Sequence, residues 1–386
     1  EPETPLGLYL GCHIHKFETK LYDESRVTAV SYDMESHLRM TVVKYCEVAK
    51  INEGDLKKVA TPSIPEEAKW HPARAPCDPG SAICVCPWCR MTLPVDEVGK
   101  LHSPPEPSGS LGQPDGQSTK EEVQEEVRGT LAPHAASVLM KLLYAARIAR
   151  FDLLRSINNL ARNVTKWSVS DDKKLHHLMC YVQHSKHLRM VGWVGDKLDD
   201  LTLALFADAD FSGCAQSLRS TSGVHMHIQG PRTRFPLAGQ SKRQGCVSHS
   251  TPEAEIVAAD FAMTKVGVPS ISLWNMLGAK DPRFVFYDDN QAMITVVRTG
   301  KNPTMRHLER THGISIQWMH DVFTADQFVL AYEITAKMAA DIHTKAFKDS
   351  VSWAHACLLI NIMPMDALQS STVIDLMRPT HDGGSG

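Results

Sequence analysis

The chain has 386 residues, 43% of them hydrophobic and 22% charged, which supports two or three packed domains and excludes wholesale disorder. A formal net charge of −3 excludes a globally cationic nucleic-acid binder, so any phosphate contact must come from local basic patches. The opening carries no signal-peptide pattern, and no apolar run approaches the roughly 18 residues that span a bilayer. The ten cysteines are therefore expected to be reduced thiols in an intracellular protein. Leu6–Ile14 (LGLYLGCHI) reads as a strand that begins mid-fold, as if the chain were cut from something longer.

Residues 5–15 and 26–33 alternate in the manner of strands, and residues 34–50 place Leu38, Val42, Tyr45 and Val48 at helical spacing. Residues 66–130 break the pattern. Pro, Gly, Ser and Glu dominate and no period is sustained, so a disordered linker or insertion is expected there, with Cys77, Cys84, Cys86 and Cys89 embedded in it. Residues 131–187 are helical, with Ser170 expected to cap the helix that carries Leu175, Leu178, Met179 and Val182. From GWVGD onward the order is β-β-β-α-β-α-α-β-α, with Pro252 starting the first of these helices through about Val266 and AKMAADIHTKAF forming the last. The fold class expected is α/β: a mixed five-stranded sheet flanked by helices, preceded by a small α+β remnant and a helical segment.

Four carboxylates fall at strand ends or helix starts of this plan: Asp208, Glu255, Asp289 and Asp341. Such positions converge on one side of an α/β sheet. Clustered carboxylates need cations, and hard oxygen ligands suit Mg²⁺ or Mn²⁺, two of which could activate water against a phosphodiester. Strand alternation is expected to point Asp210 and Asp288 away, and Glu253 lies two helical positions from Glu255, so these two cannot share a face.

The text between the acids is the more specific signal. FADADFSGCAQSLRSTSG, SKRQGCVSHSTPEAEIVAAD, YDDNQAMITVVRTGKNP and ADIHTKAF together resemble the ribonuclease H domain of copia-type LTR retrotransposon polyproteins. There the corresponding blocks read like DADWAG, RKSTSG, SKRQ, SSTEAEY, DNQSAI, NP, RTKHID and LADILTK. Upstream, LMKLLYAARIARFDLLRSINNLARNVTKW is similar to that family's segment between polymerase and nuclease, and GLYLGCHI with ATPSIP to the end of its reverse transcriptase. The resemblance implies a reverse transcriptase remnant over 1–65, the linker or insertion over 66–130, a connection segment over 131–197, a ribonuclease H-like domain over 198–350, and a C-terminal helix and tail over 351–386.

It also implies an endonuclease that cuts the RNA strand of RNA–DNA hybrids with two metal ions. Asp208 and Asp289 would hold or bridge the ions, Glu255 would complete one shell and Asp341 the other. The implied partners are the hybrid and the rest of the polyprotein, with no membrane. The expected location is the cytoplasm, including a virus-like particle, with a nuclear phase. Two departures stand out: RTKHID is RTHGIS here (Arg310–Ser315), and the aromatic after EAE is Ile256.

Other readings fare worse. Tyr287-Asp288-Asp289 mimics a polymerase box, but a helix rather than a hairpin strand is expected to follow it. Asp208-Ala209-Asp210 as a sugar-transferase or phosphatase motif leaves Glu255 and Asp341 unexplained, and His249, Ser250 and Asp260 lack a nucleophile elbow. An integrase would place its Glu last of three acids, whereas Glu is second of four here. A catalytically silent scaffold derived from a retroelement is the main rival, and retention of all four acids argues against it. Cys77, Cys84, Cys86 and Cys89 supply enough thiolates for a tetrahedral Zn²⁺, with His71 as a substitute ligand; free thiols are the alternative. A basic groove for phosphates is expected from Arg219, Lys242, Arg243, Arg298, Lys301, Arg306 and Arg310. Ser220, Ser222, Asn290 and Gln291 are the groups expected to meet the RNA 2′-hydroxyls.

Overall fold

The computed structural model describes residues 6–64, 83–85, 92–94, 127–211, 218–278, 283–302, 305 and 307–373. The chain divides into two compact units, one formed by residues 65–126 and one by residues 1–64 with 127–386. In the smaller unit, strands Ile83–Val85 and Thr92–Pro94 pair antiparallel. Cys77, Cys86 and Cys89 fall outside the described residues, as does the Cys84 side chain.

The larger unit is built on one mixed sheet of ten strands. In chain order these are β1 (Leu8–Tyr9), β2 (Cys12–Lys20), β3 (Arg26–Asp33), β4 (Arg189–Val194), β5 (Thr202–Asp210), β6 (Thr221–Gly230), β7 (Thr233–Arg243), β8 (Arg283–Asp288), β9 (Phe328–Tyr332) and β10 (Ile362–Met363). They lie in the order β1-β2-β3-β4-β7-β6-β5-β8-β9, with β10 also paired to β4. β5, β6 and β7 form an antiparallel meander, and β8 runs parallel to both β5 and β9. The sheet therefore extends beyond the five strands expected. β4 pairs antiparallel with β3, β7 and β10, so the N-terminal hairpin and the C-terminal end join the same ladder. Between β4 and β7 the register is a single pair, Trp193 with Arg234.

β5 is nearly all buried because it lies inside the sheet with cores on both faces. Leu203, Leu205, Ala207 and Ala209 pack into one core with α5 (Thr251–Ala262), α6 (Val268–Met276), α7 (Gln291–Thr299) and α8 (Ile316–Thr324). Ala204 and Phe206 pack into the other with α1 (Glu35–Ala49), α2 (Ala132–Ile148), α3 (Leu154–Ala161), α4 (Val169–Ser185) and α9 (Ser350–Leu359). The period of two thus turns Asp208 to the second face.

Three local expectations are revised. The helix from Thr251 does not stop near Val266 but continues to Met276 through a π-turn over Met263–Gly267, because Pro269 cannot donate the next i→i−4 bond. This continuous helix is long and apolar enough to cross a membrane by length and composition alone, yet Ala258, Ala259, Ala262 and Met263 are buried against the sheet. Ser168, not Ser170, caps α4, since its side chain and that of Asp171 exchange bonds with each other's backbone N–H. The segment expected as a last helix is instead two 3-10 turns, Thr335–Lys337 and Ala339–His343. It lies directly on β6 at Gly223, where a Cβ would come within 2.6 Å of Thr344 Cγ2 and 2.8 Å of the Ala340 carbonyl.

Candidate metal centre

Asp208, near the end of β5, Glu255, in the second turn of α5, and Asp289, just past β8, come together. One carboxylate oxygen from each lies within 4.8 Å of the others. Each is placed by local chemistry. Ser250 caps α5 by accepting from the Glu253 N–H at 3.3 Å, and Pro252 sits in the first turn, which aims Glu255 at the sheet. Asn290 caps α7 by accepting from the Met293 N–H at 3.0 Å, and Asp288 accepts from the Asn290 N–H at 2.8 Å. That tight turn leaves Asp289 projecting between strand and helix, where Thr335 donates to its Oδ2 at 2.8 Å.

Asp341 enters through Lys345, whose ammonium is 2.8 Å from Asp341 Oδ1 and 3.4 Å from Asp208 Oδ1. The Thr344 hydroxyl donates to Asp208 Oδ2. Asp208, Glu255, Asp289, Asn290, Gln291 and Lys345 line one open cleft with Thr251 and Tyr332.

The electrostatics are those of crowded, desolvated acids. Burial, followed by the charges of Asp208, Asp288 and Asp289, pushes the Glu255 carboxyl up to about 11, and its Oε2 is buried without a hydrogen-bond partner. Burial and Asp208 raise Asp341 to about 7. Asp208 is raised chiefly by burial, against the pull of Lys345 and Thr344. Burial opposes the charge of Lys345, but Asp208 and Asp341 outweigh it and hold the ammonium above its ordinary range. One cation thus faces several acids, and the remaining deficit is what a hard divalent ion would neutralise.

The neighbouring acids serve other ends. Asp210, two residues on, shares the face of Asp208 instead of turning away as expected; it accepts from the Thr221 N–H across the ladder and is raised to about 7, mainly by burial. Asp288 is fully buried and raised well above the carboxylate range, by burial first, with the charges of Asp289 and Asp208 adding to it. Glu253 turns toward His249, His307 and His312 instead of the cleft.

Of the residues expected to meet nucleic acid, Asn290 and Gln291 are in the cleft. Ser220 and Ser222 are buried, and the Ser222 hydroxyl accepts from Gln244 at 3.1 Å, so neither is presented to a ligand in this arrangement. Lys242, exposed, lies over the Phe261 ring at 4.8 Å; Arg243, Lys301 and Arg310 are exposed, and Arg219 is half-buried. Arg298 donates to the Leu330 carbonyl at 3.0 Å, and Arg306 is outside the described residues. Lys345, Thr344 and Thr335 were not singled out from the sequence. The four-residue step from Asp341 to Lys345 was the available signal for the first of these.

Over 230 residues, 57% of this chain, the sequence is 26% identical to the Retrovirus-related Pol polyprotein from transposon TNT 1-94 of Nicotiana tabacum. The match spans 16% of that polyprotein's length. No protein-family model matches the chain, and no solved structure matches it. The likeness to the Nicotiana polyprotein supports a retroelement origin for this chain.

Proposed function

We propose that this chain is the ribonuclease H part of a copia-type retroelement polyprotein and hydrolyses the RNA strand of an RNA–DNA hybrid. The observation that carries this reading is the convergence of Asp208, Glu255 and Asp289 within 4.8 Å in an open cleft, with Asp341 tied in through Lys345. Strands β7-β6-β5-β8-β9, part antiparallel and part parallel with helices on both faces, fit the mixed five-stranded plan of that fold. The similarity to a transposon Pol polyprotein points the same way.

An all-oxygen donor set with an orphaned buried Glu255 oxygen suits Mg²⁺ or Mn²⁺, held by Asp208, Glu255, Asp289 and Asp341. When bound, such ions supply a water made acidic enough to attack and a counter-charge for the leaving 3′-oxygen, so that a 5′-phosphate results. The chain's own groups do the positioning. Thr344 and Thr335 fix the carboxylates of Asp208 and Asp289. Lys345 pairs with Asp341 and offsets part of the rise that burial and Asp208 impose on its carboxyl. Asn290 and Gln291, at the mouth of the cleft, meet the 2′-hydroxyls that distinguish RNA from DNA. The flanking polyprotein would deliver the hybrid.

Purified chain incubated with labelled hybrid and Mg²⁺ is expected to cut only the RNA strand and to spare single-stranded RNA and DNA. Asp208→Asn and Asp289→Asn are each expected to abolish cleavage. A well-folded wild-type chain that cuts nothing in Mg²⁺ or Mn²⁺ would overturn the reading in favour of a silent scaffold.

A further inference from the structure

The start of α5 faces two ways. Glu255 turns to the acidic cleft, while Glu253, two residues earlier, turns to a second cluster made by His249, His307 and His312. His307 Nε2 stands 3.2 Å and His312 Nε2 3.3 Å from the same oxygen, Glu253 Oε1. One ligand atom each from His249, Glu253 and His307 lies within 4.8 Å of the others. The Glu253 and His312 side chains are only 2% and 3% exposed. Glu253 Oε1, His307 Nε2 and His312 Nε2 are all buried, and none makes a hydrogen bond.

Two buried imidazole nitrogens meet one buried carboxylate oxygen at contact distance, yet none of the three atoms has a hydrogen-bond partner. Protonated imidazoles paired to the carboxylate would aim an N–H at the oxygen, and neither ring does. A tetrahedral Zn²⁺ with ligand bonds of about 2.0–2.1 Å has ligand–ligand edges of about 3.3 Å, and the two edges from Glu253 Oε1 to His307 Nε2 and His312 Nε2, at 3.2 and 3.3 Å, match it. Imidazole nitrogens with one carboxylate are a donor set that Zn²⁺ favours over Mg²⁺.

We propose that His249, Glu253 and His307, whose ligand atoms lie within 4.8 Å of one another, hold a structural Zn²⁺ with His312 beside Glu253, at a site distinct from the acidic cleft and from the cysteine-rich segment. The ion ties three stretches together: the loop before α5, the first turn of α5, and the turn that carries His307 and His312. Supporting bonds are already in place. Glu253 Oε2 accepts from the His249 N–H at 2.9 Å, and the Cys246 thiol donates to the Thr311 carbonyl at 2.8 Å. His312 lies where this chain reads RTHGIS, so the site belongs to the stretch in which it departs from RTKHID. Its consequence is mechanical. The ion holds the first turn of α5, and with it Glu255, independently of whether the cleft is a nuclease.

The test uses the full chain with Cys77, Cys84, Cys86 and Cys89 replaced by Ser, in excess Mg²⁺ to occupy the acidic cleft. Zn²⁺ is titrated against a chromophoric chelator, and Co²⁺ is followed by its visible spectrum. One equivalent of Zn²⁺ is expected, with a tetrahedral Co²⁺ spectrum free of thiolate charge-transfer bands and a Zn²⁺-dependent rise in Tm. His249→Ala and His307→Ala, at exposed and half-exposed positions that the fold tolerates, are each expected to weaken Zn²⁺ at least about 10–100-fold. Asp208→Asn is expected to leave it unchanged. Absence of a stoichiometric Zn²⁺ would overturn the proposal, as would affinity unaffected by both histidine changes or lost in Asp208→Asn.

Discussion

Glu255 is the residue on which the cleft's electrostatics turn. Without a bound cation its carboxyl is held up to about 11 against an ordinary 4.5, with burial as the first cause and the neighbouring acids as the second. Between those two values the folded chain keeps a proton that the unfolded chain releases, so this group lowers stability as pH rises above about 4.5. Gln mimics the protonated form. In chelator, Glu255→Gln is therefore expected to gain stability over wild type as pH rises from about 5 to 9, by at most about 1.4 kcal/mol per pH unit. Added Mg²⁺ should reverse the order, because only the wild-type carboxylate can then bind it. Urea melts at several pH values, with and without Mg²⁺, measure both effects. A gap that does not widen with pH would show that Glu255 is ionised in the metal-free chain.

At the scale of elements, the cleft depends on how closely the 3-10 turn Ala339–His343 lies on β6. Gly223 pairs with Asp208 across the ladder, and its missing Cβ leaves room for the Ala340 carbonyl and the Thr344 methyl. Backbone cannot yield as a flexible side-chain tip can. Gly223→Ala is expected to lift the turn, cost about 1–3 kcal/mol of stability, and reduce hybrid cleavage by moving Asp341 and Thr344. Denaturant melts and cleavage assays on one preparation check this. Cleavage at the wild-type rate would show that the turn does not position the acids. The same closeness explains why a regular helix is not used here: all five residues of Ala339–His343 are buried, which one amphipathic face could not achieve.

Across the whole molecule, helices from distant parts of the chain are locked by a buried ion pair. Arg150 donates to both oxygens of Asp152 at 2.8 and 2.7 Å and to the Ser185 carbonyl at 3.0 Å, while the Tyr181 hydroxyl, held by Trp353 Nε1, donates to Asp152 at 3.1 Å. Burial opposes the Arg150 charge, but Asp152 overcomes it and keeps the guanidinium above its ordinary range. The network joins the region after α2 to α4 and α9, so elements from distant parts of the chain depend on it. Asp152→Ala strands a buried cation and is expected to cost roughly 3–5 kcal/mol, whereas the paired change Arg150→Met with Asp152→Leu should recover most of that loss. Urea denaturation of the two variants decides it, and a mild effect of Asp152→Ala alone would mean that water reaches Arg150.

Much of this was legible in the amino-acid order because it depends on local physics. The buried run of β5, the Ser250 and Pro252 start of α5, and the carboxylates at strand ends and helix starts follow from periodicity, capping and the convergence of such positions in α/β sheets. Other features required contacts between residues far apart in sequence. The extension of the sheet through β4 joins Arg26–Asp33 to residues 189–194, and no local pattern encodes such a pairing. The 3-10 turn over Gly223, the entry of Lys345 between two acids, and the meeting of His249 with His307 and His312 are likewise set by packing. Local propensity writes the elements, but which side chains become neighbours is decided by how buried faces fit together, and only the tertiary structure holds that information.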